Sequence, residues 1–327
     1  MNVHVVAVGD PRLAATVAAL GRDHGHSHHV TDDPADADLV LVCGNFSLDP
    51  GAVLAHPLRR RARRFAVYSG DDNYLPLVPG AYASPRRGLS TWAGRVRGFG
   101  YAASYGVLAN DGVARAAEHP SRHEPHYLFT FEGGANSRVR RALFRSAAAF
   151  GDRALVRDTT ASYRHFGAGD DPDRRRAQDR YAETIRDGAF ALCPRGVGTG
   201  TLRLYEAMRL GVAPVVVADG WVPPSGPDWG RIALFVAERD VARLVDVLEA
   251  HRGEAARRGA EARRAWEQWF APEVFFDRLV DAASAASGSK PALSAAYLAL
   301  APLWVALFRV RRWMRRQAVE AARRLPR

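Results

Sequence analysis

At 327 residues the chain exceeds the size at which one hydrophobic core keeps growing, so two compact domains are expected. A hydrophobic fraction of 47% with 25% charged residues excludes wholesale disorder and an integral membrane bundle. The formal net charge of +11 points to a polyanionic partner (a phosphate-bearing substrate, nucleic acid or an anionic membrane), although general arginine-rich composition accounts for part of the excess.

The run from Val3 to Gly9 reads as a buried strand, and Asp10-Pro11 as a helix start, where the missing proline N–H costs nothing. No basic leader precedes that strand, so a secretory signal is not expected. "ADLVLVCGN" (Ala37 to Asn45) gives a further buried strand, "DPGAVLAHPLRRRARR" a helix with a basic end, and "FAVYSGDD" a strand ending in acids. This alternation predicts a parallel sheet with helices on its faces. From Asn73 to Gly100 proline and glycine dominate, and the segment reads as a long ordered loop of the kind that carries function.

The polar stretch "EHPSRHEPH" (Glu118 to His126) is the best domain boundary. Beyond it "YLFTFEGG" is a strand with a glycine turn, "SRVRRALFRSAAAF" a helix, "RALVRDT" a strand, and "DPDRRRAQDRYAETIRDG" a helix feeding the strand "AFALCPRG". Helical periodicity then runs from Arg239 to Ser284 with a restart at Pro272. Three units result: residues 1–125, 126–285 and 286–327.

Cys43 and Cys193 sit in apolar runs and read as buried thiols. His24, His26, His28 and His29 could present imidazoles on one face of a strand, but with no carboxylate or thiol among them a solvated loop or an acceptor-side contact is the better reading. "DDPD" (Asp170 to Asp173) precedes an arginine-rich helix and reads as a helix cap.

In the C-terminal unit, Pro291 to Phe308 is uncharged but interrupted by Pro302, and it is marginal in length for a membrane span. Helical spacing puts Leu303, Leu307, Val310, Met314 and Ala318 on one face and Arg309, Arg312, Arg316 and Arg323 on the other. Such a basic amphipathic helix fits an anionic membrane surface and equally a terminal helix packed on the body.

The segment "FALCPRGVGTGTLRLYEAMRLGVAPVVVADGW" is strand, glycine turn, helix, strand and acid-bearing turn. Glycines 196, 198 and 200 allow a ligand to approach the backbone, and the helix start offers free N–H groups to phosphate oxygens. Arg195 at the strand end could fork onto a diphosphate. Arg203 and Glu206, three apart, share a helix face; they could serve one ligand, with the carboxylate on vicinal hydroxyls, or form a surface ion pair. Asp219 lies in the strand-end turn beside the crevice.

The ordered sequence of these features, together with the later "DW" and "FVAERDV" elements, resembles the exostosin group, glycosyltransferase family 47, over Tyr181 to Ala250. "YLFTFEGGANSRVRRALF" and "VYSGDDNYLPLVPGAYAS" resemble upstream segments of the same family. The resemblance implies an α/β, GT-B type fold: two Rossmann-like domains facing a cleft, the second holding a nucleotide-diphosphate sugar. It implies diphosphate contacts from Arg195 and Arg203, ribose contact from Glu206, and phosphate-site contributions from Gly133, Gly134 and Arg140, with Gly196 and Thr199 in the intervening turn.

The leading expectation is sugar transfer to a glycan or lipid-linked acceptor in the cytoplasm, at the inner face of a membrane if the C-terminal helix binds there. Inversion would require a base on the acceptor side, for which Asp71, Asp72 and Glu132 are the candidates; the two aspartates also fit a solvated turn or helix cap. No metal or other cofactor is expected, because helix dipole and arginines could stabilise the leaving diphosphate. The rival expectation is a noncatalytic glycan- or polyanion-binding protein of the same fold. No nucleic-acid motif accompanies the charge, and no nucleic-acid partner is expected.

Overall fold

The computed structural model describes residues 1–45, 48–72, 74–88, 91, 94–119, 124–161, 171–287 and 299–324. Two all-parallel sheets organise the chain. The first contains β1 (Asn2–Ala7), β2 (His29–Val30), β3 (Leu39–Gly44), β4 (Phe65–Ser69), β5 (Gly80–Tyr82) and β6 (Val96–Gly98), in the order β2-β1-β3-β4-β5-β6. The second contains β7 (Tyr127–Gly133), β8 (Ala154–Asp158), β9 (Gly188–Pro194), β10 (Ala213–Val217) and β11 (Leu234–Phe235), in the order β11-β10-β9-β7-β8. This is the expected pair of doubly wound sheets.

Every residue of β3 is buried, as a parallel strand covered on both faces requires. In the second sheet the strand order reverses between β7 and β9, so a crevice opens outside their carboxyl ends. Gly133 ends one of these strands and Pro194 the other, which delivers the two glycine turns to the same place.

Three local expectations are corrected. The segment from Asn73 to Gly100 is not all loop, since β5 and β6 complete the first sheet from within it. Strands of three residues show no alternation in sequence, and Gly80 fits only because it has no Cβ, which would lie 2.0 Å from the Val67 carbonyl oxygen. The helix expected over "DPGAVLAHPLRRRARR" is short, α2 at Pro50–Leu54, followed by a 3₁₀ turn at Pro57–Arg60, because Pro57 cannot donate into a continuing helix.

The third correction concerns the domain limits. Helix α3 (Asp111–Glu118), placed by sequence in the first domain, packs on helix α5 (Pro172–Arg186) of the second. A Cβ on Gly112 would lie 2.4 Å from the Gln178 backbone, and Arg115 pairs with Asp179 at 2.6 Å. Conversely α10 (Pro272–Ser287), placed in the second domain, returns to the first, where Phe275, Phe276, Leu279 and Val280 share a core with Val3, Leu13 and Tyr68. The two crossings touch: the Tyr105 hydroxyl donates to the Phe270 carbonyl.

The histidine run serves this return. The Asp277 carboxylate of α10 accepts from the backbone N–H groups of His26 (3.2 Å), Ser27 (2.9 Å) and His28 (3.1 Å), and His28 Nε2 lies 3.0 Å from Asp281. Among the described residues no group of three or more histidine, cysteine or acidic side chains could hold a metal. Asp171 caps α5, its Oδ1 accepting from Asp173 N–H at 3.0 Å, while Asp170 lies outside the described residues. Cys43 and Cys193 are buried free thiols, and burial pushes Cys193 up to about 12.

The last described helix, α11 (Ala301–Arg324), packs Ala301 and Val305 against Leu54, Leu75 and Leu77 of the first domain. Arg309 grips Asp49 with two bonds of 3.0 Å, and Asp49 also caps α2. Leu303, Leu307, Val310 and Met314 are exposed, as the helical spacing predicts; the side chains of Ala318, Arg312, Arg316 and Arg323 lie outside the described part. Among the described residues no helix is long and apolar enough to cross a membrane.

Candidate active site

A cavity of about 570 Å³ lies between the two sheets. The first domain contributes Gly70, Asp71, Asp72 and Tyr101 to its wall; the second contributes the β7 end, the Gly196–Arg203 turn and Tyr181.

On the second-domain side, β7 leads through Gly133 into α4 (Arg138–Phe150). The Ser137 hydroxyl caps that helix by accepting from Arg140 N–H at 3.2 Å, and donates to the Arg195 carbonyl at 2.9 Å. Arg140 is thereby buried over the Phe131 ring, and its guanidinium donates to the carbonyls of Pro194 (3.2 and 3.3 Å) and Gly134 (3.4 Å).

Helix α6 (Leu202–Arg209) begins at the cavity, with Thr201, Leu202 and Arg203 in its wall, so its unbonded N–H end faces the space. The Arg203 guanidinium stacks between Phe131 (4.6 Å) and Tyr181 (4.8 Å), and its buried Nε has no hydrogen-bond partner. A buried Nε without a partner is a donor that an anion's oxygen would satisfy.

Not every predicted ligand faces the cavity. Arg195 is spent on Glu238, with bonds of 2.5 and 3.0 Å. Glu238 also accepts from Asp219 N–H at 3.1 Å, and Asp219 accepts from Glu238 N–H at 3.2 Å. Asp219 thus fixes the acid that fixes Arg195. Glu206 sits one layer behind the wall, accepting from the Tyr181 hydroxyl at 2.6 Å, and burial raises its carboxyl above the usual range. Gly133 and Gly196 line the cavity; Gly134 enters only through its carbonyl.

The turn from Val197 to Thr201 docks against the first domain. Thr199 donates to the Pro85 carbonyl at 2.7 Å, and Gly200 N–H to Ser84 Oγ at 2.8 Å. Asp72 joins this contact: it accepts from the Tyr101 hydroxyl at 3.2 Å and bonds to Ser84 and the Gly198 N–H, while burial raises its carboxyl. A Cβ on Gly198 would lie 2.0 Å from Ser84 Oγ and 2.6 Å from Asp72 Oδ1, so glycine is required for the closed contact.

Of the three candidate bases, Asp71 and Asp72 line the cavity from the β4 end. Glu132 lines it from β7, fully buried and paired with Arg157 at 2.6 Å, with Thr184 donating at 3.2 Å. Sequence reasoning missed Tyr101, Ser84, Ser137 and Tyr181. Ser137 had a signal as a serine opening a helical run; the others act through cross-domain or cross-helix contacts that no local pattern carries.

Residues 105–251 match the model of the Exostosin GT47 domain. The chain is 46% identical over 71 residues to a probable glucuronoxylan glucuronosyltransferase of Arabidopsis thaliana, covering 21% of this chain and 16% of that one. It is 31% identical over 160 residues to Exostosin-1 of Drosophila melanogaster, covering 44% of this chain and 20% of that one. The chain thus spans a fifth or less of the length of these curated relatives. A crystal structure of an alpha1,3-fucosyltransferase aligns over 90% of this chain and 91% of its own, with TM-score 0.43 and 11% identity.

Proposed function

Starting from residues 105–251 as an exostosin-type domain of glycosyltransferase family 47, we propose that the chain transfers a sugar from a nucleotide-diphosphate donor to a glycan or lipid-linked acceptor. The observation that carries this reading is Arg203, buried without a hydrogen-bond partner for Nε, beside Arg140 and the start of α6 on the cavity wall. The leaving diphosphate takes its bonds from these two guanidiniums and the helix N–H groups. That charge compensation needs no metal or other cofactor.

The acceptor hydroxyl enters from the first-domain wall. Its oxygen attacks the anomeric carbon, the carbon–diphosphate bond breaks, and Asp72 takes the hydroxyl proton, with Asp71 beside it on the same strand end. Direct displacement inverts the anomeric centre. Asp72 suits the role because a carboxyl raised by burial holds a proton better than an exposed one. Glu132, held by Arg157 and Thr184, orients the donor side. In this reading the enzyme works in the cytoplasm, at the inner face of a membrane.

Because relatives are named glucuronosyltransferases, UDP-glucuronate is the first donor to test, within a panel of UDP- and GDP-sugars. Calorimetry should show nucleotide-diphosphate binding and the panel should show donor turnover. A chain that binds none of these nucleotides sinks the reading.

A further inference from the structure

Seven of the nine exposed large hydrophobic side chains among the described residues lie between Leu300 and Met314. Leu303 is 56% exposed and Trp313 62%, and Leu303, Leu307, Val310 and Met314 form a stripe along α11. That stripe faces away from the docked residues Ala301, Val305 and Arg309, which are offset by about half a helical turn. So contiguous an apolar face needs a covering surface.

Charge identifies the surface. Residues 309–324 contain seven arginines and one glutamate. So dense a positive charge on the helix that carries the stripe matches an anionic surface. The platform under α11 is basic too: Arg59 shares with Ala301, Pro302, Val305 and Arg309 a groove of about 610 Å³, and Arg60 and Arg61 beside it are exposed. Tryptophans at 304 and 313, both exposed, suit the headgroup level of a bilayer.

We propose that α11 is an interfacial anchor for an anionic lipid bilayer, its apolar stripe inserted among acyl chains and the positive charge of its arginine-rich sequence matched to the anionic headgroups. The latch to Asp49 makes the anchor rigid with the first domain. From Asp72 in the cavity wall the chain runs to Leu75 and Leu77 beneath α11, so bilayer and acceptor side of the cleft are held in one body. The membrane contact is independent of the donor chemistry proposed above, and its test uses no nucleotide.

Full-length protein should float with vesicles of phosphatidylglycerol and phosphatidylcholine and bind phosphatidylcholine alone far less. The double variant Leu303→Glu/Leu307→Glu should lose about tenfold or more of the bound fraction with an unchanged melting temperature. A second pair on another element, Arg60→Glu/Arg61→Glu, should weaken binding to the anionic vesicles only. Equal flotation of wild type and both variants, or none for the wild type, overturns the proposal. So does a dimer in sedimentation that Leu303→Glu/Leu307→Glu dissolves while vesicles remain unbound.

Discussion

Arg203 and Arg140 approach Gly133 from two different helices, their terminal nitrogens 3.4 and 3.5 Å from where a Cβ on that glycine would stand. Two cations held that close, on a wall with a helix start, create a local demand for negative charge. The first prediction tests it. Arg203→Gln should lower affinity for a nucleoside diphosphate about tenfold to a hundredfold, the worth of one or two charge-assisted bonds. Affinity for the bare nucleoside should change little. Equal losses in calorimetry for both ligands would place Arg203 on a different part of the donor.

Gly198→Ala should open the contact between the turn and the first domain. The added methyl meets Ser84 and Asp72, neither of which can retreat without breaking its own bonds. We expect kcat/KM to fall by about tenfold or more, as misplacement of a reacting group does. Small-angle scattering should report a larger radius of gyration. An unchanged scattering curve with normal turnover would show that the turn does not hold the cleft closed.

The pH profile tests the base. Burial raises Asp72 above the usual carboxylate value of about 3.9, so the acid limb of kcat/KM should lie above that pH. Because the base must be ionised, rate falls as pH falls through the raised value. Asp72→Asn should cost about 10²- to 10⁴-fold and remove that limb. The folded chain also binds this proton more tightly than the unfolded one. The stability cost of the ionised carboxylate is thus relieved as pH falls from the folded value toward the ordinary one. A profile of the Asp72→Asn variant parallel to wild type would assign the limb elsewhere.

Glu206 separates a structural partner from a ligand. Glu206→Ala removes the acceptor of the Tyr181 hydroxyl and a charge near Arg203, and should cost about 3 kcal/mol in urea denaturation. Glu206→Gln keeps an acceptor and should cost less than about 1.5 kcal/mol. If Glu206→Gln is stable yet loses ribose-dependent affinity, the carboxylate contacts donor after all.

Much of this architecture is legible in the sequence because it is local. A buried parallel strand such as β3 announces itself by an unbroken apolar run, and the glycine turns by glycines between strand and helix. Arg140 and Arg203 follow from motif position and do meet at the cavity. Arg195 and Glu206 occupy equally motif-marked positions, but their partners, Glu238 and Tyr181, stand 43 and 25 residues away and decide where each side chain goes. The domain limits failed for the same reason. Neither α3 nor α10 differs in periodicity from its neighbours, and only contacts such as Arg115 with Asp179, or Asp277 with three backbone N–H groups, say which sheet each helix serves.

The return of α10 to the first sheet also orders events during synthesis. The first domain lacks Phe275, Phe276, Leu279 and Val280 until the ribosome has made nearly the whole second domain. Its amino-terminal strands therefore wait, with an apolar face uncovered, while a later unit completes itself first. A chain cut before Pro272 should strand the earlier half rather than release it as an independent piece.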